Sequence, residues 1–245
     1  MLHMERRQFI CLLGGGALAW PLAARAQQLG KLPTIGFLVS GTPSSHGPWV
    51  TGFVQRLREL GWIEGRTITI EYRWAEGRSE RFAEIAAELV RRKVDVIVTS
   101  ATEAIVAAKQ ATSVIPIVFA AAGDPVGTGL VASLARPGGN VTGLSIQQTD
   151  VAAKRLEILR EAVPGLHRLA ILANVGSPSV VLDMREVQAT AGTLGLEVTT
   201  SEIRQGEDIA PAFEALKSRA DALYVCIDPL VSTHRIRIHA PHVQC

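Results

Sequence analysis

The chain has 245 residues, of which 47% are hydrophobic, and its 25 lysines and arginines nearly balance its 23 aspartates and glutamates. This length is enough for one large domain or two smaller ones with an ample core. The near-neutral charge, with no later basic cluster except the short run 235–237, excludes an electrostatic footprint for nucleic acid. The few cysteines and their spacing exclude a disulfide framework and a metal site.

The N-terminus has the pattern of an export signal. Arg6 and Arg7 precede an apolar run over residues 10–20, and the tripeptide Ala-Arg-Ala that ends at Ala26 supplies the motif recognised by signal peptidase. The order Arg-Arg-x-Phe-Ile indicates a twin-arginine leader, although Sec export accepts the same segment. The apolar run is shorter than the ~20 residues that span a bilayer. We therefore expect residues 1–26 to be removed after Ala26 and the protein to reach the periplasm.

After the leader, short apolar runs alternate with amphipathic segments, which predicts alternating strands and helices. Phe82, Ile85 and Leu89, for example, recur at helical spacing behind Ser79, so a helix capped by Ser79 is predicted there. The first predicted strands cover residues 34–39, 67–72, 94–99 and 115–120, and the first predicted helices cover 48–60, 82–90, 103–111 and 126–134.

A cluster of turn residues at 136–140 is followed by a second cycle of strands and helices. A predicted strand at 141–144 leads into this cycle, whose predicted strands cover residues 169–173, 197–201 and 222–227 and whose predicted helices cover 149–163, 179–194 and 209–218. Segment 236–245 has no clear helical period.

Short strands joined by helices predict parallel sheets covered on both faces. The sequence thus predicts an α/β fold of two doubly wound parallel-sheet lobes with a hinge near Gly143, in which the second lobe and the return to the first are incomplete. We expect an N-terminal lobe over 33–143, a partial C-terminal lobe over 144–232 and an aberrant tail over 233–245.

Several sequence strings carry a family resemblance, and they lie at residues 5–10, 19–28, 35–38, 61–65, 71–77, 123–126 and 136–143. From the leader to about Ser232 the chain resembles ABC-transporter substrate-binding proteins of the type I periplasmic-binding-protein fold, related to tryptophan- and tyrosine-type binding proteins. Members of that family continue for several dozen residues beyond this point. The resemblance implies a monomeric, non-catalytic binder without a cofactor. Its two lobes would close on a small solute, an amino acid or a small organic or aromatic acid, and dock on an ABC permease in the inner membrane.

Candidate ligand-binding residues follow the predicted strands, because ligands of open α/β sheets bind beyond the carboxyl ends of the strands. Hydroxyls and amides at the helix start near Thr102 can hold a carboxylate, and Asp228 or Asp124 can face an ammonium group. Ser100 and Thr102 are equally explained as helix caps, and Asp124 before Pro125 is typical of a turn. The candidates are Ser40, Thr42, Ser100, Thr102, Gly123, Asp124, Asn174, Ser177 and Asp228.

Other classes of protein fit the sequence less well or use the same cleft. An enzyme is disfavoured because the chain has no Gly-x-Gly-x-x-Gly after its first strand, no Walker loop and no Gly-x-Ser-x-Gly elbow. A sugar-responsive transcription regulator has the same two-lobed fold but needs a DNA-binding helix-turn-helix where this chain has an export leader. A periplasmic sensor feeding a partner receptor would use the same cleft. A non-functional truncated remnant of a binding protein would expose apolar surface and aggregate.

Overall fold

The computed structural model describes residues 31–239. The predicted leader and residues 240–245 of the predicted tail therefore lie outside the described part of the chain. Within the described part, no helix combines the length and apolar character that crossing a membrane requires.

The first sheet consists of parallel strands in the order β2-β1-β3-β4-β5. All six residues of β1 are buried, as its unbroken apolar sequence predicts for a central strand. Strand β2 lies at the edge, as its alternating sequence predicts. The strands are β1 (Thr34–Val39), β2 (Thr69–Trp74), β3 (Val96–Thr99), β4 (Ile117–Ala122) and β5 (Val141–Ser145).

Helices connect the first three strands to the strands that follow them in the chain, which is the connection that parallel pairing requires. Phe82, Ile85 and Leu89 are buried along one face of the second helix and pack in the core of this sheet. The helices are α1 (Pro43–Glu59), α2 (Arg81–Arg91) and α3 (Thr102–Ala111).

The second sheet is also parallel, with the order β7-β6-β8. Strand β6 is central, and six of its seven residues are buried. These two sheets confirm the predicted α/β fold. The strands are β6 (Arg168–Asn174), β7 (Glu197–Ile203) and β8 (Ala222–Val225), and the helices are α4 (Ala152–Ala162), α5 (Pro178–Thr193), α6 (Ile209–Leu216), α7 (Pro229–Thr233) and α8 (Arg235–His239).

Helix α1 begins five residues before the predicted start at residue 48. A reciprocal capping pair fixes its beginning: Thr42 Oγ1 accepts from the Ser45 amide at 3.1 Å, and Ser45 Oγ accepts from the Thr42 amide at 2.9 Å. This pair satisfies two amides that the first turn would otherwise leave without partners. Pro48 consequently lies inside the helix instead of at its start.

Three other predictions of local structure were wrong. The segment predicted as a helix at 126–134 forms turns, in which Gly127 N–H donates to Asp124 Oδ1 at 2.7 Å. Helix α2 starts after Glu80, so Ser79 is not its cap. The predicted tail is helical as far as residue 239, and Ile238 is buried against a cluster that includes Leu230. Burial of the Ile238 side chain stabilises this single helical turn, which the hydrophobic pattern of the sequence does not predict.

Candidate functional site

A cavity of about 500 Å³ lies where strands of both sheets end, which is where open α/β folds bind ligands. One wall is apolar and is formed by side chains of β1, β3 and α1 that also pack together in the core, namely Phe37, Val39, Val50, Phe53 and Val98. The rest of the lining combines apolar groups, among them Trp49, Ile146 and Ile227, with polar side chains. The polar side chains are Ser40, His46, Ser100, Thr102, Glu103, Gln148, Ser177, Ser179, Asp228 and Ser232.

The start of helix α3 borders this cavity with unsatisfied polar groups. Ala101 precedes the helix with φ 73°, in the left-handed region, and no side chain caps the first turn. The amides of residues 102–104 form no hydrogen bond within the described residues. Thr102 is only 2% exposed, yet its Oγ1 has no partner there either. Free amides at a helix start attract a carboxylate, so this corner of the cavity suits an anionic group.

Asp228 lies on the opposite side, after β8, where it caps helix α7. Its Oδ1 accepts from the Val231 amide at 2.7 Å, and its Oδ2 accepts from the side-chain amide of Asn174. The residue is 7% exposed. Burial raises the pKa of Asp228 to about 6, and the nearby Glu103 carboxylate adds to the rise in this pKa. A carboxylate held in this way is suited to receive a cationic group.

The structure brings six of the nine predicted site residues to this cavity: Ser40, Ser100, Thr102, Gly123, Ser177 and Asp228. Asn174 lines an adjoining polar cavity of about 440 Å³, whose lining shares Glu103, Asp228 and Pro229 with the first. The part that these residues take in binding stays a prediction.

The remaining two predicted residues, Thr42 and Asp124, are not among the residues that line either cavity. Thr42 caps helix α1 together with Ser45. Asp124 accepts from the Gly127 amide and, through its backbone carbonyl, from the Thr128 hydroxyl. Their observed contacts are those of a helix cap and of a turn, which is the alternative that the sequence already offered for Asp124.

His46 was not among the predicted site residues. It is 6% exposed, and its two ring nitrogens lie 3.3 Å from Ser40 Oγ and 2.9 Å from Ser45 Oγ. Burial lowers the pKa of His46, and the charge of Arg235 lowers this pKa further. Trp49 packs edge to face on the imidazole, with ring centroids 4.8 Å apart. His46 is thus a neutral, oriented ring at the cavity wall, and recognising the helix start at residue 43 would have placed it there.

Gln148 and Ser179 were also missed. The Gln148 side chain reaches α5 and the end of β8, and its own backbone amide donates to the carbonyl of Gly123 at 2.9 Å. Ser179 lies in the first turn of α5, where its hydroxyl is 3.3 Å from that of Ser177. Both residues line the cavity. Nowhere in residues 31–239 do three His, Cys, Asp or Glu side chains converge as a metal site requires.

The family model for ABC transporter substrate binding proteins matches residues 39–240, so the match runs through α8 and past the point near Ser232 where the resemblance was expected to fail. A tyrosine-binding protein of Clostridioides difficile (strain R20291) is 31% identical over 184 residues, which are 74% of this chain and 52% of that protein. The chain therefore spans about half the length of this curated relative.

Two solved structures share the fold over most of the chain. The ABC domain in complex with L-Trp from Streptococcus pneumonia has a TM-score of 0.78 and 27% identity, covering 86% of this chain and 70% of that one. A conserved domain protein from Vibrio cholerae O1 biovar eltor has a TM-score of 0.80 and 28% identity, covering 87% and 72%. The parallel sheets, the cavity at their strand ends and these matches together show that the chain belongs to the family of ABC transporter substrate-binding proteins with the type I periplasmic-binding-protein fold.

Proposed function

We propose that this protein is the solute-binding component of an ABC importer. In this role it is exported to the periplasm, holds one small solute in the cavity at the strand ends and delivers it to a permease in the inner membrane. The observation that carries the proposal is the cavity itself, which combines an apolar wall with free helix amides and a buried carboxylate. The protein has no catalytic role in this proposal.

The solute that suits the cavity is an amino acid or a small organic or aromatic acid. Its carboxylate would lie against the amides at the start of α3 and the hydroxyl of Thr102. Its side chain would lie against the wall formed by Phe37 and Phe53, where aromatic and aliphatic groups are both accommodated. Relatives named for tyrosine and solved with L-Trp support this class of solute.

Closure of the two sheets on the solute is part of the proposal. The lining includes residues on both sides of Gly143, such as Phe37 and Asp228, so a solute held there would contact the N-terminal lobe, residues 33–143, and the C-terminal lobe, residues 144–232. A hinge near Gly143 would allow the lobes to separate and release the solute.

Thermal unfolding of the purified protein with a panel of amino acids and small organic acids tests the proposal. A solute that binds only the folded state, supplied at about 100 times its dissociation constant, adds ~2.7 kcal/mol of stability. We expect an upward shift of the melting temperature with one class of solute. A transition that responds to no member of the panel contradicts the proposal and favours a non-functional remnant.

A further inference from the structure

His46 is a buried histidine at the wall of the candidate cavity, and both of its ring nitrogens face serine hydroxyls. Nδ1 lies 2.9 Å from Ser45 Oγ, and Nε2 lies 3.3 Å from Ser40 Oγ. Burial and, secondly, the charge of Arg235 lower the pKa of His46, so the ring is neutral and carries one N–H hydrogen. The nitrogen that carries this hydrogen decides whether Ser40 donates to the ring or accepts from it.

The hydrogen bonds of Ser45 assign the ring hydrogen to Nε2. Ser45 Oγ accepts from the Thr42 amide at 2.9 Å, and its own hydrogen has three acceptors within reach. The Thr42 carbonyl, at 3.3 Å, already accepts from the His46 amide, and Thr42 Oγ1, at 3.0 Å, already accepts from the Ser45 amide. Nδ1 of His46 is the nearest acceptor and has no other donor among residues 31–239. Ser45 therefore donates to Nδ1, which leaves the hydrogen of the neutral ring on Nε2.

The hydroxyl hydrogen of Ser40 is then left without an acceptor. Nε2–H donates to Ser40 Oγ, and this oxygen forms no other hydrogen bond among the described residues. Ser40 is only 1% exposed and lines the cavity. Buried polar groups are nearly always paired in native structures, so an unused donor at a cavity wall points to an acceptor on the ligand. The chain from Ser45 through His46 to Ser40 also polarises this hydroxyl and strengthens it as a donor.

Two neighbours hold the imidazole in one orientation. A Cβ added at Gly41 would overlap Nδ1 and Cε1 of His46, although the backbone of Gly41 is not in the left-handed region. The missing side chain therefore makes room for the ring and is not demanded by the backbone. Trp49 packs edge to face on the other side, with ring centroids 4.8 Å apart, and restricts rotation of the imidazole.

The position of Ser40 in the sheet indicates which group of a solute it meets. Strands β1 and β3 pair with Leu38 opposite Thr99, so Ser40 and Ala101 follow adjacent strand ends. Ala101 precedes α3, whose amides at 102–104 form no hydrogen bond within the described residues. An ionised carboxylate only accepts hydrogen bonds, so a hydroxyl donor beside these amides completes a set of donors for it.

We propose that His46 is a positioning residue that orients the hydroxyl of Ser40 as a hydrogen-bond donor to the carboxylate of the solute. His46 does not itself contact the solute in this arrangement, since both of its ring nitrogens are occupied by serines. This inference rests on the proposed function and deepens it, because it gives the selection of a carboxylate to a relay of three side chains in addition to the helix amides.

A double-mutant cycle tests whether His46 acts through Ser40. Calorimetric titration at neutral pH uses the member of the unfolding panel that raises the melting temperature most, for example L-tyrosine. We expect Ser40→Ala and His46→Leu each to lower the affinity by about fivefold or more, equivalent to ~1 kcal/mol. The double variant should lose no more than the larger single loss, because the two residues form one unit. Losses that multiply in the double variant overturn the relay and leave the proposed function intact.

Two further variants separate positioning from packing. His46→Gln places an N–H donor near the position of Nε2, so we expect its affinity to stay within about twofold of that of the unaltered protein. His167→Leu, at an exposed position before β6, is the matched control for His46→Leu and should leave the affinity unchanged. A folded His46→Gln protein that loses as much affinity as His46→Leu shows that His46 only fills space, and so contradicts the proposal.

The tautomer can be read directly in the unaltered protein, whether or not the variants fold. In a long-range ¹⁵N–¹H spectrum of protein labelled with ¹⁵N-histidine, the two ring nitrogens of a neutral imidazole have distinct shifts. We expect His46 to be protonated at Nε2, and protonation at Nδ1 overturns the inference because Ser40 would then donate to the ring. If no compound of the panel binds, the proposed function fails and the role given to Ser40 fails with it.

Discussion

The side-chain amide of Gln148 donates to Oδ2 of Asp183 at 3.0 Å and to the backbone carbonyl of Ile227 at 3.2 Å. Asp183 is completely buried on α5, and Gln148 is 2% exposed in the segment after β5. Because the Gln148 backbone amide also donates to Gly123 after β4, one residue links the strand ends of both sheets. In this structure Gln148 therefore connects the segments that follow the two sheets at the cavity.

Removing this donor should be strongly destabilising. Gln148→Leu leaves the buried Asp183 carboxyl without its hydrogen bond, for which we expect a loss of about 2–3 kcal/mol in the free energy of unfolding. Asp183→Asn keeps an acceptor for Gln148 and removes a charge whose burial raises the pKa of this carboxyl, so its effect should be smaller. Urea unfolding of the two variants measures both values. A Gln148→Leu protein as stable as the original contradicts this account of the contact.

Gly123 is predicted to be essential for a closed cavity. A Cβ added there would lie 2.8 Å from Cβ of Ser179 and 3.2 Å from Oε1 of Gln148, so Gly123→Ala must push these groups apart. Overpacking of this kind typically costs ~1–3 kcal/mol of folding stability. Because all three residues line the cavity and would be displaced there, we also expect solute affinity to fall by about tenfold or more. Calorimetric titration with the solute found in the unfolding panel measures the loss.

Gly192→Ala is the control for that substitution. Gly192 lies near the end of α5, and a Cβ there would have no neighbour within 4 Å. The added methyl group should favour the helix by about 0.5–1 kcal/mol and leave the affinity unaltered. Equal losses of affinity in the two variants would show that the effect of Gly123→Ala does not arise at the cavity.

The location of the candidate site was predictable from the sequence, because parallel strands bring their carboxyl ends to one edge of the sheet. That rule alone placed Ser40, Thr102 and Asp228 at the cavity without any knowledge of their neighbours. It also brought in Thr42 and Asp124, since residues after a strand serve equally as caps and turns. The type of most elements was predictable from the hydrophobic period, although the segment at 126–134 forms turns instead of the predicted helix, and the ends of elements depend on single hydrogen bonds.

The cavity residues that the sequence analysis missed are positioned by contacts that a local sequence pattern does not reveal. His46 faces the cavity because the Thr42–Ser45 capping pair starts α1 early, and Pro48 inside the helix conceals that start. Gln148 bonds partners 35 and 79 residues away in the chain, and neither separation leaves a local signal. Ile238 belongs to a helical turn that is supported by its burial against the second sheet, a contact that the local sequence pattern does not reveal.

Thr102 should show opposite effects on stability and affinity. Its buried hydroxyl has no partner within the described residues, so Thr102→Val, which keeps the shape, should leave stability unchanged or raise it by about 1 kcal/mol. The same change removes a polar contact to the solute, and we expect the affinity to fall about tenfold. Thr51→Val, at an exposed position of α1, is the control and should alter neither quantity. A clear loss of stability on Thr102→Val would show that the hydroxyl has an intramolecular partner.

Affinity for a solute that carries an ammonium group should rise with pH up to the pKa of Asp228. In the free protein burial raises this pKa to about 6, whereas a bound cation favours the ionised form. Below pH 6, binding must therefore displace a proton, and the affinity should fall by about tenfold for each pH unit. Above that pH the affinity should level off, and calorimetry between pH 5 and 8 measures the profile.

The stability of the solute-free protein should change in the opposite direction over the same range. A carboxyl whose pKa is higher in the folded state binds its proton more tightly there, so the contribution of Asp228 to stability increases as pH falls from about 6 towards 3.8. His46 also lines the cavity, and its lowered pKa places its protonation below 6.5. Asp228→Asn separates the two groups, since Asn can still accept from the Val231 amide but cannot titrate. A pH profile of affinity that survives this substitution assigns the dependence to another group, such as His46, and contradicts the role given to Asp228.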